Sequence, residues 1–144
     1  MLRVKHLLAG KGSEVWTIQP EDPVIEAIRI MAQRHIGALP VVRGSELIGI
    51  VSERDYARKV ILLGRSSSDT PVSQIMTTPV VTVTPDETVH RCMELMTERR
   101  IRHLPVVEKG TLSGIISIGD LVKAVIEEQQ QTIDQLERYI AGSV

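Results

Sequence analysis

The sequence predicts an α+β protein made of two copies of one small unit, with a helix running on beyond the second copy. Three observations carry that expectation. The chain matches itself in one register, at an offset of 65 residues: from Trp16–Ile61 against Val81–Ile126, 17 of 46 ungapped positions are identical. Within each copy the apolar spacing changes from strand-like to helical and back. The strand-like runs are short and bounded by Pro, Gly and polar turn residues, as small antiparallel sheets require.

Composition narrows the function classes. A chain of 144 residues holds one domain or two very small ones, and units this small rarely bury enough apolar surface to fold alone, so the copies are expected to share a core. The formal net charge is −1 with scattered basic residues, which leaves no electrostatic footprint for a phosphate backbone. Phe is absent and Trp and Tyr total three, so base-stacking platforms for single strands are missing and nucleic acid is not expected as a partner. Cys92 is the only cysteine and lies among Val89, Met93 and Met96, a core position in a protein suited to a reducing cytoplasm. No apolar run reaches the length of a membrane span, and Met1–Gly12 lacks the apolar centre of a signal peptide, so a cytosolic protein is expected.

The elements follow in order. Residues 1–14 form an N-terminal segment. In repeat 1, residues 15–62, a β-rich run over Val15–Ile18 meets Pro20-Glu21-Asp22-Pro23, a turn and helix-start signal. Val24, Ile28 and Met31 then recur on one helical face that ends near Gly37. Leu39–Val42 and Leu47–Val51, joined by polar Arg43–Glu46, read as a hairpin, and a second helix opens at Ser52. Residues 63–79 form a linker whose first part is rich in Gly, Ser and Asp. Repeat 2, residues 80–126, repeats the order: Val80–Val83, a helix bearing Val89, Met93 and Met96, strands Leu104–Val107 and Leu112–Ile116, and a helix from Ser117. That helix continues through residues 127–144 with Ile133, Leu136 and Ile140 on one stripe, which calls for a partner surface and points to a homodimer.

One pattern recurs at each strand-to-helix junction: Gly49-Ile50-Val51-Ser52-Glu53-Arg54-Asp55 and Gly114-Ile115-Ile116-Ser117-Ile118-Gly119-Asp120. Ser-x-x-Asp ahead of an apolar run is a capping box, with Ser accepting from first-turn N–H groups and Asp reaching back. The same geometry suits a nucleotide, because unpaired N–H groups favour an anion and a carboxylate accepts both hydroxyls of a ribose cis-diol. Thr17-Ile18, Thr82-Val83 and the Leu-Pro-Val segments would then supply an aliphatic slot for a purine. Spacing alone does not choose between the two readings.

The duplicated unit, with Ile101-Arg102-His103-Leu104-Pro105-Val106-Val107 and Gly114–Asp120, resembles the CBS (cystathionine beta-synthase) domain over about residues 15–126, and the pair resembles the tandem arrangement called a Bateman module. The resemblance implies β-α-β-β-α repeats packed with pseudo-twofold symmetry, and two clefts that take AMP, ADP, ATP, S-adenosylmethionine or NAD(H). By position it implies that Asp55 and Asp120 hold ribose, that Ser52, Ser117 and Arg54 approach phosphate, and that Arg102 and His103 face phosphates. Thr17, Ile18, Thr82 and Val83 would border the bases, with Ala38, Leu39, Pro40, Leu104, Pro105, Ile118 and Gly119 completing the clefts. The copies differ where Gly37-Ala38 stands for Arg102-His103 and Glu53-Arg54 for Ile118-Gly119, so the two clefts are expected to be unequal.

Other candidates are weaker. His103 has no second ligand at metal spacing, so no metal is expected; His6, His35 and His90 stand alone in polar contexts. Gly10-Lys11-Gly12-Ser13 lacks the remainder of a phosphate-loop motif, and Lys11 reads as an exposed loop lysine or one leaning toward a bound phosphate. No nucleophile is paired with a base and an orienting group, so catalysis is not expected. The expected function is an adenine-nucleotide sensor that signals to a separate effector protein. The alternative is a nucleotide-free interaction module that dimerises through its repeats and C-terminal helix.

Overall fold

The two hairpins form where alternation and turn chemistry require them. A computed structural model describes residues 1–12 and 14–142, so Ser13 and the last two residues of the expected C-terminal extension lie outside the described residues. Strands β1 (Ala38–Arg43) and β2 (Glu46–Ser52) pair antiparallel, as do β3 (His103–Glu108) and β4 (Thr111–Ser117). The registers coincide at the offset of 65: Ala38 faces Ser52 and His103 faces Ser117, and both hairpins shift register at the same place, between Val41 and Val42 and between Val106 and Val107. Positive φ at Gly44 in one turn and at Lys109 and Gly110 in the other supplies the backbone twist that tight hairpins need.

The β-rich run that should open each repeat survives only as one bridge. Ile18 N–H donates to the Pro40 carbonyl and Val42 N–H to the Ile18 carbonyl; Val83, Pro105 and Val107 repeat the arrangement. Proline stops the ladder on both sides. Pro40 and Pro105 have no N–H to offer the residue two before the bridge, and Pro20 and Pro85, two after it, have none to donate onward.

Helices α2 (Val24–Arg34) and α4 (Val89–Arg99) lay Val24, Ala27 and Met31, or Val89, Cys92 and Met96, onto the hairpins. They end at His35 and Arg100, both left-handed at φ 54°, the first of them two residues before the Gly37 near which that helix was expected to stop. Gly37 answers a different demand: a Cβ there would stand 3.1 Å from Glu53 Oε1 and 3.3 Å from the His103 ring. The first repeat's second helix, α3 (Glu53–Tyr56), widens into a π turn over Ala57–Ile61, whereas its counterpart α5 (Ile118–Gly142) is continuous. Beyond Val125 helix α5 leaves the body with Ile126, Ile133, Leu136 and Ile140 exposed.

The segments read as an N-terminal stretch and a linker complete the cores, and they do so crosswise. Residues 1–11, including α1 (Val4–Lys11), pack on the second repeat, while residues 70–76 pack on the first. Val4 N–H donates to the Glu87 carbonyl and Lys5 N–H to Pro85; Val72 N–H donates to Asp22 and Ser73 N–H to Pro20. Leu8 sits against Gly114 as Met76 sits against Gly49. These equivalences run at an offset of 68 (72 − 4), three more than the repeats themselves. The leading segments also cap the helices, whose first N–H groups lack partners of their own: Val24 N–H donates to the Thr70 carbonyl and Ile25 N–H to Ser67, and Val89 N–H donates to Leu2. The Ser66–Asp69 stretch therefore has fixed partners, among them Tyr56 Oη with Ser67 Oγ at 2.9 Å. Among the described residues, no helix is long and apolar enough to cross a membrane.

Candidate functional site

Both capping boxes form. Ser52 N–H and Oγ–H donate to Asp55 Oδ2 at 2.9 and 3.0 Å, and Asp55 N–H donates back to Ser52 Oγ at 3.2 Å. In the second copy Ser117 N–H donates to Asp120 Oδ2 at 2.8 Å and Asp120 N–H to Ser117 Oγ at 3.2 Å. Each junction is thus satisfied as a cap, and each carboxylate has a second oxygen or a second lone pair to engage elsewhere.

The two carboxylates meet different neighbours. Asp55 Oδ1 accepts from Thr77 Oγ1 at 3.2 Å and lies 3.2 Å from Lys59 Nζ, while Thr77 exchanges backbone hydrogen bonds with Ile50. Asp120 Oδ2 instead receives Lys11 Nζ at 2.6 Å, and the same ammonium donates to the Ile115 carbonyl at 2.8 Å. Ile115 and Asp120 are the repeat equivalents of Ile50 and Asp55. Lys11 therefore takes in the second copy the partners that Thr77 takes in the first.

A cavity of about 420 Å³ opens at the first junction, within the size range of small-ligand sites. It is lined by Ala38, Ser52, Arg54 and Asp55 from the first repeat, by Thr77 from the linker and by Arg100, Ile101, Arg102 and His103 from the second. Gly37, Ile50, Glu53, Arg58 and Lys59 complete the wall. Five cations, Arg54, Arg58, Lys59, Arg100 and Arg102, face two carboxylates, Glu53 and Asp55. That excess attracts a polyanion. Burial lowers the His103 pKa below its ordinary value, helped by the Lys11 and Arg102 charges and opposed by Asp120, so the ring is held neutral beside this cluster. Burial works to raise the Asp120 carboxyl, but the Lys11 and Ser117 hydrogen bonds outweigh it and hold the group below its ordinary value.

Of the residues singled out in the sequence, Ala38, Ser52, Arg54, Asp55, Arg102 and His103 are brought together in this cavity. Ser117, Ile118, Gly119 and Asp120 gather at the second junction, under Lys11. Ile18, Leu39, Val83 and Leu104 are core residues, exposed by 5% or less. Their side chains turn to α2 and α4 because the alternation of a half-covered sheet sends these positions inward. Pro40 and Pro105 are buried beside them with carbonyls committed to Ile18 and Val83, and Thr17 and Thr82 flank these bridges; none of these eight residues lines the cavity. Sequence reasoning missed Arg58, Lys59, Thr77 and Arg100. Lys59 carried a signal, standing four residues after Asp55 on a helix. Thr77 carried none, since its equivalence lies in the segment where the offset changes. Among the described residues no group of three or more His, Cys, Asp or Glu side chains is placed to hold a metal.

Known proteins show the same duplicated architecture. The chain is 46% identical over 139 residues to the mitochondrial CBS domain-containing protein CBSX3 of Arabidopsis thaliana, covering 93% of this chain and 67% of that one. It is 37% identical to the CBS domain-containing protein YhcV of Bacillus subtilis, over 91% of this chain and 86% of that protein. A solved structure of a protein with CBS domains from Burkholderia ambifaria superposes with a TM-score of 0.82 at 52% identity, over 88% of this chain and 94% of the other. The sequence profile of the CBS domain matches twice, at residues 12–61 and 72–127, the two units that the internal repeat and the paired hairpins define. The chain belongs to the CBS-domain family.

Proposed function

We propose that this chain is a regulatory module, not an enzyme, that binds an adenine nucleotide in the cavity between its two repeats and signals occupancy to a separate effector protein. The observation that carries the reading is the cavity itself. One wall offers Asp55 and Ser52, able to accept and donate to a ribose diol, and the facing wall offers Arg100, Arg102 and His103. A ligand joining them is a sugar bearing phosphate. AMP, ADP, ATP and NAD(H) meet that description, and the excess of cations favours the di- and triphosphates. Because the lining comes from both repeats, a ligand there biases the angle between them, which is the differential contact a sensor needs.

A second reading keeps the exposed apolar stripe of α5 in view. Ile126, Ile133, Leu136 and Ile140 are between 46% and 77% exposed, and Ile61, Leu62 and Leu63 at the end of the first repeat between 61% and 76%. A homodimer through these faces suits both readings, and in the nucleotide-free alternative it is the whole function. Cys92, single and buried, suits the reducing cytoplasm in which we place the module.

Calorimetry and thermal melting with AMP, ADP, ATP and NAD decide between them. A ligand at one hundred times its Kd raises stability by about 2.7 kcal/mol when it binds the folded state alone. Nucleotide binding that Asp55→Ala weakens at least tenfold supports the sensor; no heat and no melting shift with any of the four refutes it and leaves the interaction module.

A further inference from the structure

Helix α5 carries one apolar stripe across the point where it leaves the body. At 100° per residue, Ile118, Val122, Ile126, Ile133, Leu136 and Ile140 fall within an arc of about 80°, and all six are exposed. Leu121 and Ala124, which dock the first half of the helix on the second repeat, lie on another face. The docked half and the free half therefore present one continuous surface. The repeat ends at Ile126, so the stripe beyond it has no counterpart in the first copy. Val122, Ile126, Gln129, Ile133, Leu136 and Ile140 alternate steps of four and three residues, the seam of a coiled coil with Gln129 as its polar member.

Charge sets the direction of the partner helix. Lys123 and Glu137 stand two heptads apart on the same edge of the seam. Both are exposed, and among the described residues neither has a hydrogen bond or ion pair. Two such helices running antiparallel about residue 131 bring Val122 against the partner's Ile140, Ile126 against the partner's Leu136 and Gln129 against the partner's Ile133. Lys123 then stands opposite the partner's Glu137 at both ends. Run parallel, Lys123 would lie beside the partner's Ile118 and Glu137 beside the partner's Thr132, and neither charge would be answered. Exposed ion pairs add little affinity, but they discriminate between orientations.

We infer that two copies of this chain join through α5 as an antiparallel pair centred on Gln131, the free half of each helix lying on the docked half of the other. The inference rests on the homodimer reading above and adds to it a direction and a register. The pairing is isologous, as a twofold dimer requires.

Cysteine cross-linking and light scattering on the full chain test this. An equimolar mixture of Ile126→Cys and Leu136→Cys chains, one of them isotopically labelled, should oxidise to the mixed disulfide, and neither variant alone should cross-link to itself. Cys92 is buried and stays out of the reaction. Lys123→Glu and Glu137→Lys should each weaken the dimer about fivefold at low salt, and the double variant should regain it. Ile133→Glu should leave a monomer whose body still melts cooperatively by circular dichroism. Self-cross-linking of either cysteine variant, with no mixed product, would overturn the antiparallel direction. A dimer that survives Ile133→Glu would overturn the coil and leave a homodimer through Ile61, Leu62 and Leu63. A wild-type chain that is monomeric at every concentration refutes the homodimer and the pairing together.

Discussion

Removing two methyl groups from Val4 tests whether the N-terminal helix belongs to the second repeat's core. Val4 is 0% exposed and clusters with Val83, Val89, Cys92, Met96, Leu104, Val106, Ile116 and Leu121. Val4→Ala forfeits about 1.6 kcal/mol at roughly 0.8 kcal/mol per methyl-sized group. A residual cavity adds up to about 1 kcal/mol where the surroundings cannot collapse. Alanine is the better helix former by about 0.6 kcal/mol or less, which offsets part of the loss. The net cost is about 2 kcal/mol, a fall in Tm of about 5–10 °C for a chain of this size. Val72→Ala, at the equivalent position in the first repeat's core, should cost about the same, and the two losses should add, because the clusters are distinct. Urea titrations followed by circular dichroism read both quantities. A change under about 0.5 kcal/mol for Val4→Ala, with Val72→Ala costly, would mean that α1 does not dock on the second repeat. The structure has two clusters where the sequence led us to expect one shared core, and two separate transitions in the wild-type chain would show that they also unfold independently.

The remaining expectations concern single titrating groups. His103 has its folded pKa lowered from 6.5 by burial first and by Lys11 and Arg102 after it. The unfolded chain therefore binds the extra proton first, and the contribution of His103 to stability is present above about pH 6.5 and is lost as pH falls below it toward the folded pKa. NMR titration should find the His103 pKa below 6.5 and find it higher in Lys11→Ala; a value at or above 6.5 in the wild-type chain contradicts the burial, and His103→Gln should flatten the fall in Tm between neutral and mildly acidic pH. Cys92 is 0% exposed, and burial, with Glu87 adding to it, pushes its thiol up to about 11. The native protein at pH 8 should resist a disulfide reagent that labels the urea-unfolded chain at once, and rapid native labelling would show that the second core opens.

Much of the fold was legible because it depends on neighbours in the chain. The hairpin registers and both Ser-x-x-Asp caps repeat at 65 because local backbone chemistry repeats. Even the loss of the opening strands was written in Pro20, Pro40, Pro85 and Pro105, whose missing N–H groups end any ladder through Ile18 or Val83. Leu39, Leu104, Ile18 and Val83 were misplaced for a reason of the same kind: the segment that approaches the cleft was legible, but which face of it looks outward depends on the helices that cover the other face.

By itself, then, the sequence determined two copies of one unit, their element order and the doubled Ser-x-x-Asp junction, since these are set by spacing along the chain. Only the tertiary structure decided that the leading segments cross over. Residues 1–11 and 70–76 have no side-chain pattern naming the repeat they serve, and their equivalence is displaced from 65 to 68. That crossing carries Lys11 to Asp120, 109 residues away, and Thr77 to Asp55. It is why two junctions of the same residues differ: Asp120 meets an ammonium carried on α1, whereas Asp55 meets the Thr77 hydroxyl and the Lys59 ammonium and lines the cavity it shares with Arg102 and His103.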